Sequence, residues 1–203
     1  RMPRNANQSK SANYSLNFDG SASIDCGNIT ALNNLNAFST STWINYSGTP
    51  STTTHIFLSG GSGTNNKFYI QLISSTTIRY GVGSPYYDLT ISSISSGSWH
   101  HIASIHNGTS LDIYLDGVKQ NSSPITVLAP TTDIGNSFKI GRFFGSSGGY
   151  FWNGQLDGVA IFDYALSASQ VTTLWGGGTS VSNPMALPRT PIAYYPLGTS
   201  AWD

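Results

Sequence analysis

All nine acidic residues of this 203-residue chain are aspartates, and glutamate is absent. Mechanisms that require a catalytic Glu are therefore excluded. Retaining glycoside hydrolysis needs a nucleophilic carboxylate and an acid/base carboxyl about 5–5.5 Å apart. Only Asp112 and Asp116 are closely spaced on one strand parity, and Asp116 belongs to an Asp-Gly turn, where a carboxylate caps backbone amides instead. A serine or cysteine nucleophile would need a His oriented by an Asp, and no nucleophile-elbow pattern occurs. His100 and His106 share strand parity, but their separation of about 20 Å along a strand is too long for two ligands of one zinc ion. His101 points to the opposite face, where a histidine hydrogen-bonded within the fold is expected.

Aromatic faces are the other available chemistry. Tyr86 and Tyr87 in GSPYYDL, and Tyr150 in GSSGGYFW, lie in turn-rich surroundings. Ring faces stack on the apolar faces of pyranoses, while Asn, Ser and Asp bond to hydroxyls. These three tyrosines are the candidate ligand-binding residues; the alternative is that they cover the rim of the core. Trp43, Trp99, Trp152 and Trp175 sit in regular elements and are expected inside.

The elements that must hold these residues are strands. Charged residues make up only 9% of the chain, and nine Lys/Arg balance nine Asp to a net charge of zero. The basic residues are scattered from Arg1 to Arg189, which argues against nucleic acid and against an anionic lipid surface as partners. No run approaches the roughly 18 apolar residues of a membrane span, so membrane insertion is not expected. The polar remainder, mostly Ser, Thr, Asn and Gly, suits turns and the outward faces of strands. Cys26 is the only cysteine, so burial and backbone ladders must hold the fold.

Along the chain, Asp19–Gly20 predicts a hairpin between short apolar runs around Phe18 and Ile24. FSTSTWINYS reads as a central strand with bulk on both faces, and HIFLSGGSGTNNKFYIQLISSTTIRYGVG as a meander of three. WHHIASIHNGTSLDIYLDGV is the clearest hairpin, turning at Asn107–Gly108. FKIGRF and GQLDGVAIFDY supply the closing strands. One helix is expected where Ser167 and Gln170 form a capping box ahead of Val171, Leu174 and Trp175, with Gly176–Gly178 as its stop. The pattern predicts an all-β, antiparallel two-sheet sandwich or jelly roll with one short helix near the C-terminal end. It divides into a tail at 1–12, the sandwich at 13–178, a Pro-containing linker at 179–190, and a final run at 191–203 that either starts a following module or returns as a terminal strand.

Together, YSLNFDGSASIDCG, FSTSTWINY, WHHIASIHNGTSLDIYLDGV and FKIGRF through FWNGQLDGVAIFDYALSASQVTTLW resemble, in that order, the laminin-G-like domains of the concanavalin A-like lectin/glucanase superfamily. The resemblance implies a jelly-roll sandwich and, in many relatives, a calcium ion at a loop rim. It would place Asp19 and Asp157 near each other as the metal candidates, with backbone carbonyls supplying most of the six to eight oxygens that Ca²⁺ takes. The family's closing strand usually carries an acidic pair where this chain has Asp157 followed by Gly158. The Glu-containing strand of the β-glucan hydrolases in that superfamily has no counterpart here. Two functions are expected. The first is a non-enzymatic structural module that contacts other protein subunits of a surface-exposed assembly, such as a virion decoration or fibre protein or a secreted adhesive array. The second is a glycan-binding lectin module, with calcium as its one candidate cofactor. Both place the protein outside cells or on a virion surface.

Overall fold

A computed structural model describes residues 15–63, 67–83, 85–122, 125–127, 133–145, 149–178 and 182–198. The expected tail at 1–12 lies outside the described residues. The chain runs through β1 (Leu16–Asp19), β2 (Ile24–Asp25), β3 (Phe38–Tyr46), β4 (Ile56–Gly61), β5 (Lys67–Ser74), β6 (Thr77–Val82) and β7 (Tyr86–Thr90). It continues through β8 (His100–His106), β9 (Ser110–Leu115), β10 (Val118–Lys119), β11 (Ile125–Thr126), β12 (Lys139–Ile140), β13 (Asn153–Phe162), helix α1 (Ala168–Trp175) and β14 (Ala193–Tyr195).

The strands form two antiparallel sheets. One has the order β1-β13-β3-β8-β9-β10, with β11 added to β9 and β14 to β13; the other has the order β2-β12-β4-β5-β6-β7. Residues of alternating parity face each other across the sandwich: Phe38, Ile44, Ile102 and Ile113 from the larger sheet meet Phe57, Phe68, Ile70 and Tyr80 from the smaller. Phe68 sits edge-on to Phe38 and Tyr80, at ring distances of 5.2 and 5.6 Å. Burying such rings is the main source of stability in a chain without disulfides. His106 is buried in the same layer, stacked on Phe38 at 5.4 Å, with the Tyr80 hydroxyl 3.5 Å from its Nδ1.

The expected hairpin at Asn107–Gly108 is present as the β8–β9 pair, and β3 is central, between β13 and β8. The turn at Asp19–Gly20 is different. β1 pairs with β13 in one sheet and β2 with β12 in the other, so the turn carries the chain across the sandwich rather than closing a hairpin. The reason is local: Asp19 Oδ1 accepts hydrogen bonds from the Ser21 amide, the Ser21 hydroxyl and the Ala22 amide, bending the backbone away from its own strand. Among the tryptophans, Trp152 and Trp43 are buried, whereas Trp99 and Trp175 are only half-buried.

The outer faces of the two sheets are unequal. A second apolar cluster covers the larger sheet: Ala103, Ile105, Tyr114, Ala160 and Phe162 pack against Val171 and Leu174 of α1 and against Leu166 and Leu187. The helix begins as expected, with Ser167 Oγ accepting from the Gln170 amide and Gln170 Oε1 accepting from the Ser167 amide, and it ends at Gly176 in the left-handed conformation. Replacing Ser167 by Ala leaves the Gln170 amide without its cap and is expected to lower stability by about 1 kcal/mol. A urea titration checks it, and no change would show that tertiary packing alone sets the start of α1. Among the described residues, no helix is packed on the outer face of the smaller sheet, and the site described next lies there.

Candidate functional site

On β5, Phe68, Ile70 and Leu72 enter the core, so Lys67, Tyr69 and Gln71 must face outward. The same parity turns Arg79 and Gly81 of β6, and Tyr86 and Asp88 of β7, to that side. Register then sets two rows across the three strands: Tyr69–Gly81–Tyr86 and Gln71–Arg79–Asp88. Gly81 is the space-maker of the first row. A Cβ there would overlap the Tyr69 ring, so the missing side chain lets that ring lie flat across β6. Beside it, the Arg79 guanidinium stacks on Tyr86 at 3.7 Å from the ring centroid, within cation–π range. Arg79 is held in place by Asp88: Nε donates to Oδ1 at 2.7 Å and Nη2 to Oδ2 at 2.8 Å. Such an exposed pair adds little stability; its effect here is to orient the guanidinium plane.

The opposite wall comes from the segment between β12 and β13. Phe143 sits edge-on to Tyr69 at 5.5 Å, with Phe144 at 4.7 Å and Tyr150 at 5.8 Å from Phe143. The loop before β4 closes one end with Thr52. That loop is pinned from two sides. Gln71 Nε2 donates to the Ser51 and Thr54 carbonyls, and the buried His55 ring contacts Thr54 Oγ1 at 2.7 Å and the Ser47 carbonyl at 2.8 Å. The result is an open groove of about 450 Å³ floored by Tyr69 and flanked by Tyr86, Phe143 and Tyr150. Burial pushes the Tyr69 hydroxyl up to about 12, so it stays a neutral hydrogen-bonding group at physiological pH. Aromatic faces beside fixed amide, hydroxyl and guanidinium groups suit a ligand with apolar faces and many hydroxyls.

Two of the three tyrosines singled out from sequence, Tyr86 and Tyr150, therefore meet in one groove. Tyr87 does not join them: it shares the inward parity of β7 with Leu89 and packs on the core. Tyr69, Phe143, Lys67 and Arg79 were not picked out by sequence reasoning. The alternation of Lys67, Tyr69 and Gln71 against Phe68, Ile70 and Leu72 was a signal for an outward Tyr, but its significance depends on Gly81 lying opposite.

The metal candidates are not brought together. Asp19 pairs with Asn153, four residues along β13 from Asp157, a displacement of about 13 Å, whereas two carboxylates sharing a Ca²⁺ must each come within about 2.4 Å of it. Asp19 is exposed and spends its carboxylate on the turn, whose Ser21 donors hold it below the usual carboxylate range; Asp157 is buried in the larger sheet beside Trp43. Among the described residues no three His, Cys, Asp or Glu side chains converge. The residues present do not fit the calcium ion that the resemblance implied at this pair. Asp112 and Asp116 are similarly committed, the first to Lys119 and Asn121, the second to His100 Nδ1 and the His101 amide. His101 is buried with Nε2 2.8 Å from Ser41 Oγ.

The family model Laminin_G_3, described as the concanavalin A-like lectin/glucanases superfamily, matches residues 18–172. No curated protein sequence matches significantly. Among solved structures, domain 4 of AbnA, a GH43 extracellular arabinanase from Geobacillus stearothermophilus in complex with arabinotriose, is 25% identical with a TM-score of 0.63, over 79% of this chain and 75% of that one. The heptameric SAP-like pentraxin of Limulus polyphemus is 15% identical with a TM-score of 0.61, over 90% of each chain. A putative carbohydrate binding protein from Bacteroides ovatus is 20% identical with a TM-score of 0.59, over 82% of this chain and 46% of that one.

Proposed function

The chain belongs to the laminin-G-like family of the concanavalin A-like lectin/glucanases superfamily, and from that premise we propose that it is a non-enzymatic carbohydrate-binding module whose site is the aromatic groove on the smaller sheet. The observation that carries this reading is the half-exposed Tyr86 ring facing the Phe143–Tyr150 wall, with the buried Tyr69 ring laid flat over Gly81 as the base between them. A flat ring beside a groove with polar ends matches the amphipathic faces of a sugar. The arabinotriose complex of the arabinanase domain supports the ligand class. No Asp or His is among the residues lining the groove, so its described walls offer binding without an acid/base pair. An extracellular location accords with the family and with the extracellular arabinanase. Among the described residues, no helix is long and apolar enough to cross a membrane.

A glycan array followed by calorimetry on the best oligosaccharide tests the reading. Tyr86→Ala should weaken binding about five- to tenfold, the share of one stacked ring of roughly 1–1.4 kcal/mol. Full affinity in that variant would remove Tyr86 from the site. The alternative, a structural module of a surface assembly, is favoured by the charge-poor composition, 9% charged residues. A silent array together with concentration-dependent self-association in native mass spectrometry would select it.

A further inference from the structure

We infer that the groove selects acidic sugars, with the Lys67 ammonium reading the carboxylate; this rests on the carbohydrate-binding reading above and narrows it to uronate- or sialate-type residues. Arg79, Lys119, Lys139 and Arg189 each hold an aspartate, Asp88, Asp112, Asp25 and Asp163 respectively. Lys67 holds none among the described residues; its Nζ lies 6.0 Å from the centre of the Tyr69 ring instead. Arg142 is set over the Phe151 ring at 5.1 Å, away from the residues lining the grooves, which leaves Lys67 as the groove's ammonium open to an anionic partner.

Its location strengthens the case. Lys67 lines both the main groove and a neighbouring one of about 290 Å³, where it stands with Gly63, Phe143, Phe144 and Gly145. The ammonium therefore sits where an oligosaccharide passing from one groove to the other would cross. No aspartate is among the described residues lining either groove, and the nearest one, Asp88, is paired with Arg79. Arg79 is the other cation present, but its Nε and Nη2 are spent on Asp88 and its plane rests on Tyr86. The free positive charge is that of Lys67. A sugar resting on the exposed Tyr86 ring above the Tyr69 base carries its carboxylate at the rim of the pyranose, where a long, rotatable lysine stem can follow it. Both partners are partly exposed, so the interaction is screened by salt.

Matched pairs that differ in charge test this: oligogalacturonate against its methyl ester, oligomannuronate against oligomannose, and sialyllactose against lactose, each titrated in 50 mM and 500 mM salt. In at least one pair the acid should bind about tenfold more tightly at low salt, with the ratio falling at high salt. Lys67→Met should bring the ratio toward one and Lys67→Arg should restore it. If the acidic and neutral members bind equally in every pair while Tyr86→Ala weakens both, the charge preference is wrong and the groove reading stands. If no saccharide binds, and none does on the array, both are wrong.

Discussion

Unfolding in urea at pH 7 and again at pH 4.5 is expected to reveal a stability loss of about 2–3 kcal/mol traceable mainly to His106. This ring is fully buried between Phe38 and Tyr80, and desolvation of its charged form lowers its pKa from 6.5 to about 4, an interaction with the Gly108 backbone offsetting only part of that. Between pH 6.5 and pH 4 the unfolded chain takes up a proton that the folded chain refuses. Stability is therefore complete above the unfolded value and falls as the pH drops through this window. His55, whose pKa burial also lowers, acts in the same direction. Aspartates whose pKa is lowered, such as Asp19 and Asp25, lose their contribution only below the usual carboxylate value near 3.8. His106→Leu should flatten the curve between pH 6.5 and 4.5 whatever it does to stability at pH 7. An unchanged slope would show that the ring is protonated in the fold.

The second large effect is predicted at a residue with no side chain. Gly81→Val should weaken saccharide binding by 30- to 100-fold, the loss of about 2–3 kcal/mol typical of a central anchor. The backbone at Gly81 is not left-handed, and valine is a good strand residue, so the sheet itself has no conformational reason to reject it. The new methyls occupy the place of the Tyr69 ring, and once that ring lifts, Phe143 loses its edge-on partner. Far-UV circular dichroism should be preserved while the near-UV tyrosine signal changes. Tyr69→Ala provides an independent route to the same loss without crowding the strand. If both variants bind as the parent does, the groove is not the site.

Sequence alternation was enough to place β5 and β9, because inward and outward residues differ in kind along them. The capping box placed α1. What alternation could not supply was register. Whether Tyr69 meets a glycine or a bulky neighbour depends on how β5 pairs with β6, and the distance from Asp19 to Asp157 depends on how β1 slides against β13. A shift of two residues preserves every inward and outward assignment and changes both answers. Tyr87 parts from Tyr86 for a simpler reason. In a pair of adjacent tyrosines on a strand, one must face the core, and a turn-rich context does not say which.

β1 and β14 lie end to end along the same edge of β13: Leu16 stands opposite Leu156, and Tyr195 opposite Val159. The first and last strands therefore meet within about 10 Å of each other. A longer polypeptide passing through this domain enters and leaves at nearly one point. Tension along such a polypeptide would be borne by the two short ladders on β13, while the smaller sheet, with its open face, hangs to one side of the line of force.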